Sequence, residues 1–308
     1  MMRPMNKRMS HRLAKSLGKG FSRTALITAV IAAVTALVTL GLSTSASADS
    51  YPHFSNVESI EDLTHDIKRI TFRAPEHFRF LPGQFVLLQV PGSYVKSWNQ
   101  LHGTSHEQVS RPYSFASSPS RLPLFDLIVK HQAAPRGKDV PPGLASTFVH
   151  AELKAGDTVA FGEPLGALYS GGESDRPIIF VAGGAGVSPF VGLLEHLFET
   201  KVNERRKIYL YLGVRGRRDL LLHDQFVDWA ETKHNFSYVP ALSGAVPADA
   251  WTGAAGYINL VLDKDFPGPL DAEVYIAGSP IMMRETVKVL KAKELPDERI
   301  HHDPIAVK

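Results

Sequence analysis

Three short clusters carry most of the chemistry that this sequence could do. The first is Arg111-Pro112-Tyr113-Ser114. A guanidinium group is a planar fork of donors that matches a phosphate. Tyr113, two residues on, falls on the same side of a strand and offers a flat face and a hydroxyl. Ser114 adds one hydrogen bond for a ring heteroatom. Together they suit a nucleotide cofactor with a flat aromatic ring. Taken alone, they also fit an ordinary strand with an exposed arginine and a half-buried tyrosine.

The second cluster is Pro141-Pro142-Gly143-Leu144-Ala145-Ser146-Thr147. Small and hydroxyl residues at a helix start leave backbone N–H groups free. Such an end favours anions, a pyrophosphate among them. Gly143, Ala145, Ser146 and Thr147 are the candidates. A plain N-cap after a proline turn explains the same residues. The third cluster is Gly183-Gly184-Ala185-Gly186-Val187-Ser188-Pro189, directly after the apolar run Pro177–Ala182. Phe190, Leu193, Leu194, Leu197 and Phe198 follow at helical spacing. A strand, a glycine loop and a helix let a backbone approach a pyrophosphate. Pro189 stands where the third glycine of the usual dinucleotide fingerprint would be, and tight strand-to-helix turns also use glycine.

These clusters need elements to hold them. From Tyr51 the chain runs in short alternating segments broken by Pro and Gly: Ile67–Arg73, Phe85–Val90, Leu124–Lys130 and Asp157–Phe161. That texture predicts an antiparallel barrel or sandwich, with one short helix at Leu144–Leu153. Residues 92–109 fit no period and read as a surface insertion. Beyond Asp175, strands alternate with helices. Strands are predicted at Pro177–Ala182, Lys207–Arg215, Phe236–Leu242 and Ala272–Ala277. Helices are predicted at Phe190–Thr200, Asp219–Lys233, Tyr257–Lys264 and Ile281–Glu294. The alternation implies a mostly parallel sheet. Ligands sit at the carboxyl ends of such strands, where Gly183–Pro189, Gly213–Arg217 and Gly278-Ser279-Pro280 converge.

Composition narrows the classes. The chain has 308 residues, a formal charge of +3 and no cysteine. Without cysteine there is no disulfide, thiolate metal site, cysteine-ligated iron–sulfur cluster or cysteine nucleophile. Residues 1–48 hold seven Lys/Arg and no Asp/Glu, so without them the charge falls from +3 to −4. A mildly acidic body argues against nucleic acid as the main partner. Residues 24–42 are uncharged and long enough for one membrane-spanning helix. Ala46-Ser47-Ala48 then has the small-x-small form of a signal-peptidase site. Anchor and cleaved signal both fit.

In order and spacing, RPYS at 111–114, PPGLAS at 141–146, GEPLG at 162–166, GGAGVSP at 183–189, YLGVRGRRDLLLHDQF at 211–226 and AGSPIMM at 277–283 resemble the ferredoxin–NADP reductase superfamily across roughly residues 55–303. Within it the chain looks like the flavin-reductase part of the F subunit of sodium-translocating NADH:quinone reductases. That likeness rests on the insertion before RPYS with Trp98, on PPGLAST and on Trp251-Thr252-Gly253 leading into Gly256-Tyr257-Ile258. The hydrophobic segment at the N-terminus fits it too.

The resemblance implies an antiparallel β-barrel FAD domain (51–172), a parallel-sheet NAD(P) domain (175–308) and an N-terminal basic leader with a hydrophobic helix (1–48). It implies that Arg111 takes an FAD phosphate, that Tyr113 and Ser114 face the isoalloxazine, and that Pro112 belongs to the same motif. Gly143, Ala145, Ser146 and Thr147 would hold the FAD pyrophosphate. Gly183, Gly184, Gly186, Val187, Ser188 and Pro189 would cradle NADH or NADPH, with Arg215 and Asp219 at the second strand's end. Gly278, Ser279 and Pro280 would lie by the nicotinamide. Ser114 and Tyr113 are the expected catalytic pair.

The implied activity moves electrons from NAD(P)H through FAD to an acceptor outside the chain: a quinone, a redox protein or a flavin or metal chelate. A flavin- or dinucleotide-binding subunit that transfers nothing is the rival expectation. Three departures stand out. The ferredoxin domain that the resemblance implies has no counterpart among these 308 residues, which hold no cysteine to ligate a cluster. Ala277 occupies the family's usual cysteine position, and the end reads His301-His302-Asp303-Pro304 where an aromatic is common. With that aromatic missing, the flavin is expected to be more open or covered by a histidine, while His301 and His302 by themselves read as a solvated tail. The expected location is the inner membrane through residues 24–42, with the body in the cytoplasm. Seven basic residues before the helix argue for the opposite face, with release after Ala48.

Overall fold

The computed structural model describes residues 51–169 and 174–302. The hydrophobic segment at 24–42 lies outside them. Among the described residues no helix is long and apolar enough to cross a membrane.

The first half is a six-stranded antiparallel sheet. Its strands are β1 (His53–Thr64), β2 (Ile67–Arg73), β3 (Phe85–Gln89), β4 (Ser110–Ser114), β5 (Leu124–Lys130) and β6 (Thr158–Phe161), in the order β4-β3-β6-β1-β2-β5. The edges meet: Phe115 bridges Leu127, and the Ala116 N–H donates to Asp126 O at 2.8 Å. The sheet thereby closes on a core of Phe72, Phe115, Phe125, Leu127 and Phe161. Pro112 is tolerated because its strand is paired on one side only, to β3.

The segment 92–109, which shows no period in the sequence and reads as a surface insertion, contains a helix, α1 (Gly92–His102). Tyr94, Val95 and Trp98 fall on its inner side. Val95 and Trp98 are buried, and Tyr94 packs on Phe148 at 5.3 Å. Gly103 ends it in the left-handed conformation. The stripe was too short and too diluted by Ser, Lys, Asn and Gln to register as a period. The predicted helix at Leu144–Leu153 is α2 (Leu144–Thr147) continued by a π-helical turn at Phe148–Glu152.

The second half is parallel throughout. Its strands are β7 (Ile178–Gly183), β8 (Ile208–Val214), β9 (Phe236–Leu242), β10 (Ala254–Ala255), β11 (Glu273–Ala277) and β12 (Ile300–His302), ordered β10-β9-β8-β7-β11-β12. Five helices complete it: α3 (Ser188–Glu199), α4 (Val202–Arg205), α5 (His223–Thr232), α6 (Ile258–Asp265) and α7 (Pro280–Ala292). Chain order reverses between β7 and β11, the position where open α/β sheets bind ligands. One face of the sheet packs with Ile67, Ala116 and Ile128 of the first half, so the halves share a core.

The terminal histidines do not form a solvated tail. They lie in β12, paired parallel to β11 with Tyr275 opposite His301. The His301 ring stacks on Tyr275 at 4.5 Å, and its Nε2 lies 2.9 Å from Glu273 Oε2.

Candidate functional site

The end of β7 turns through a 3-10 segment, Gly184–Val187, straight into α3. β11 turns through Gly278 into α7. Both helices have more than three turns, so the partial positive charge of their first N–H groups is directed at the crevice between β7 and β11. The two loops touch. A Cβ on Gly186 would sit 2.5 Å from the Ala277 carbonyl oxygen and 2.6 Å from Gly278 Cα. Only glycine permits that approach.

The individual candidates differ in what they can offer. Val187 and Pro189 are buried, and Pro189 has no N–H. Val187 can therefore face a ligand only through its backbone, and Pro189 sets the bend. Ser279 caps α7 by accepting the Met282 N–H at 3.3 Å, and Pro280 is the first helical residue. Met282, absent from the sequence candidates, lies close over Gly183 and Gly278.

Asp219 has a structural role. Its Oδ2 accepts the Gly216 N–H at 2.9 Å and closes the turn after β8. Arg217 donates to Asp249 O at 2.9 Å. Arg218 is exposed, with Asp219 3.9 Å away. Arg215 is exposed. The predicted helix from Asp219 begins at His223, because Arg217–Asp219 forms its own 3-10 turn and Leu222 takes a positive φ of 54°.

On the barrel, β4 presents the arginine cluster. Arg111 is exposed, donates to Ser110 O at 2.7 Å and has no carboxylate partner among the described residues. Tyr113 is half-buried against the barrel core. Burial pushes its phenol up to about 12, against the pull of Arg111. Ser114 pairs with Phe85 of β3.

Behind this strand, α2 has Thr147 as the first residue whose N–H reaches a carbonyl of its own turn, Gly143 O at 2.9 Å. The N–H groups of Leu144, Ala145 and Ser146 precede it, the usual orphan donors of a helix start. The Ser146 hydroxyl is engaged locally. It donates to Gly143 O at 2.9 Å and accepts the Gln132 N–H at 3.0 Å. Ser146 thus shapes the turn with its side chain. Thr147 Oγ1 lies 3.3 Å from His131 Nε2, which extends the cluster to a histidine that the sequence did not single out.

The two halves of the candidate site meet directly. Ser188, at the start of α3, donates its hydroxyl to the main-chain oxygen of Ser114 at 3.3 Å. Four residues on, Gly192 lies against Ser117, where a Cβ would be 2.6 Å from the Ser117 carbonyl oxygen. The glycine loop and the arginine strand are therefore adjacent. An exposed guanidinium with no ion pair among the described residues, a helix start and a glycine cradle at two helix N-termini form a donor set for phosphates. These residues fit a flavin nucleotide on the barrel and a dinucleotide on the parallel sheet.

Comparison with known proteins agrees with that division. Residues 55–169 match the oxidoreductase FAD-binding domain family, and residues 180–288 match the oxidoreductase NAD-binding domain family. The chain is 32% identical over 251 residues to the F subunit of the Na(+)-translocating NADH-quinone reductase of Serratia proteamaculans, a match covering 79% of this chain and 58% of the relative. The corresponding protein of Actinobacillus pleuropneumoniae is 32% identical over 223 residues, covering 68% of this chain and 53% of the relative. The chain thus spans a little over half the length of these relatives.

Among solved structures, the cytochrome P450 reductase GcoB of Amycolatopsis superposes with a TM-score of 0.67 at 26% identity, over 81% of this chain and 68% of that one. A ferredoxin NADP+ reductase from Neisseria gonorrhoeae with bound FAD and NADP gives 0.64 at 18% identity, over 81% and 97%, and so shares the fold.

Proposed function

Because the chain belongs to the oxidoreductases that join an FAD-binding to an NAD-binding domain, we propose that it transfers a hydride from NADH to FAD and passes electrons to an acceptor outside the chain. The observation that carries this reading is the Ser188–Ser114 contact, which brings the glycine loop up against the arginine strand. Hydride transfer needs two rings in contact, and alignment is the main thing a protein contributes to it.

In this reading residues 51–172 are the FAD domain and 175–308 the NAD(P) domain. When bound, FAD supplies a centre that accepts two electrons as hydride and releases them one at a time. Arg111 grips an FAD phosphate with its planar fork. The N–H groups of Leu144, Ala145 and Ser146 face the pyrophosphate, with Gly143 and Thr147 shaping that turn. Tyr113 lays its ring against the isoalloxazine, and its raised phenol keeps the proton across the physiological range. Ser114 offers a hydroxyl at the reacting edge. Across the crevice, the backbone of Gly183, Gly184, Gly186 and Ser188 cradles the dinucleotide, and Gly278 leaves room for the nicotinamide. Arg215 lies at the adenosine end. Asp219 acts there through the turn that it closes.

NADH is preferred over NADPH, by analogy with the relatives, which are NADH-quinone reductases by name. The acceptor is a quinone or a redox partner in a membrane complex. Residues 24–42 are read as a single-pass anchor with the body in the cytoplasm, where NADH is available. The basic flank argues for the other face, so topology has its own test. A C-terminal alkaline phosphatase fusion is expected to be inactive, and high activity would reverse the placement.

The direct experiment purifies the full chain, records its absorbance and titrates it anaerobically with NADH and NADPH. A bound flavin bleached by NADH is expected. Flavin that neither nucleotide bleaches would indicate a binding subunit without transfer. A tenfold advantage for NADPH, about 1.4 kcal/mol, would overturn the stated preference.

A further inference from the structure

Helix α3 is fastened to the barrel along its whole length by one stripe of residues. Ser188, Gly192, Glu195 and Glu199 recur at intervals of three and four, so they share a face. Each meets the segment that continues the arginine strand. Ser188 donates to Ser114 O, and Gly192 lies on the Ser117 backbone. Glu195 Oε2 accepts the Ser118 N–H at 2.8 Å. Glu199 takes one hydroxyl on each oxygen, from Ser118 at 2.6 Å and from Ser120 at 2.7 Å.

The partner segment is itself held. Ser117 Oγ accepts the Asp126 N–H at 3.0 Å, and Asp126 pairs with Arg121 at 2.6 Å. Residues 115–118 are buried.

Two carboxylates placed against serines stand out on a helix whose buried residues include Phe190, Val191, Leu193, Leu194 and Leu197. Burial, reinforced by Asp126 and Glu199, raises the Glu195 carboxyl above its ordinary range, while the Ser118 N–H and Arg121 oppose this. A group held at such a cost has a geometric use. The near end of α3 is the glycine loop, and the segment gripped by its far end leads back to Tyr113 and Ser114. A rigid helix clamped at both ends transmits any tilt at Glu195 and Glu199 to the loop.

We propose that Glu195 and Glu199 are positioning residues that hold the α3 glycine loop at fixed reach from the flavin-facing strand. The inference rests on the proposed NADH-to-FAD function. It concerns alignment alone, since neither carboxylate touches a reacting atom. At position 195 a Gln keeps an acceptor oxygen for the Ser118 N–H. At 199 its amide oxygen can accept one serine hydroxyl while its NH2 donates to the other, since a hydroxyl also accepts. Gln at both positions therefore preserves the clamp and Ala removes it.

The chain has no cysteine, so two labels can be added cleanly, at Ser59→Cys on β1 and Lys264→Cys on α6. Both positions are exposed. In the full chain loaded with FAD, the pair Glu195→Ala with Glu199→Ala is expected to shift or broaden the inter-label distance. At saturating NADH it should slow flavin reduction about tenfold or more, since small misplacements cost that much. NADH affinity should stay within about twofold, because the dinucleotide contacts are elsewhere. The paired Gln variants should match wild type in distance and rate.

A wild-type distance distribution in the Ala pair overturns the inference. So do Gln variants as impaired as the Ala pair. If the Ala pair does not fold, Glu199→Ala alone gives the same reading, because it leaves the Ser118 N–H satisfied. Wild-type flavin that NADH cannot reduce would overturn the proposed function, and the distance comparison would still decide the clamp.

Discussion

At Gly186 one loop lies so close to Ala277 and Gly278 that a side chain has no room. On β4, the exposed Arg111 guanidinium donates to the carbonyl of its neighbour Ser110 and has no carboxylate partner among the described residues. On the side proposed for the dinucleotide, main chain packs on main chain, and that packing is the fold itself. On the side proposed for the flavin, the exposed Arg111 is a side chain that the fold hardly uses. Substitution should therefore damage structure and binding together on the first side, and separate them on the second.

Gly186→Val tests the first half of that contrast and should have the largest effect. Its Cβ would collide with backbone atoms, which cannot move like the end of a side chain. Overpacking costs typically about 1–3 kcal/mol, and here β7 and β11 would have to part. Thermal unfolding of the full chain should show a clear fall in Tm, with loss of NADH-driven bleaching. An unchanged Tm would remove the basis of the comparison.

Arg111→Ala tests the second half. Loss of a charge-assisted phosphate contact should weaken FAD binding by about 1.5–3 kcal/mol. The Tm of the flavin-free chain should not move, since the guanidinium carries no ion pair among the described residues. Titration of flavin-free protein with FAD reads the first quantity and calorimetry the second. Equal FAD affinity would contradict the proposed role of the cluster.

His301→Ala probes the edge of the parallel sheet. The ring stacks on Tyr275 and meets Glu273, so truncation should lower stability by about 1 kcal/mol. No change would restore the reading of these histidines as a free tail.

The smallest effect is expected from Tyr113, the flavin-side residue that the fold half uses. Its phenol stands near 10.0 when unfolded and is pushed up to about 12 by burial. The unfolded chain then loses its proton first, so this group's contribution to stability is full below about pH 10 and falls as pH rises towards 12. Tyr113→Phe should flatten part of the alkaline decline in Tm of flavin-free protein. A parallel decline in both proteins would place the cause at other buried tyrosines.

Much of this arrangement was legible along the chain. The strands Ile67–Arg73, Leu124–Lys130 and Phe236–Leu242 stand where alternation and β-branched runs put them. Strand ends carrying Gly183 and Gly278 pointed to one crevice. What escaped was structure stabilised from a distance. Helix α1 exists because Val95 and Trp98 find the barrel core, and four hydrophobic residues in eleven positions, one of them the exposed Leu101, make too faint a stripe without that core. The β12 pairing depends on β11 lying alongside, and no pattern within Ile300–His302 announces it.

Sequence alone determined the residue chemistry and the type of those elements whose pattern is local, because glycine loops, apolar periods and an arginine strand are local properties. Only the tertiary structure decided which groups remain available. It committed the Asp219 carboxylate to a turn, the Ser146 hydroxyl to its own loop and Pro189 to the interior. It also brought Ser188 to Ser114, and Glu195 and Glu199 to Ser118 and Ser120. Those partners are more than 70 positions apart in the chain. Their meeting depends on how a barrel and a parallel sheet share one core, which no local pattern encodes.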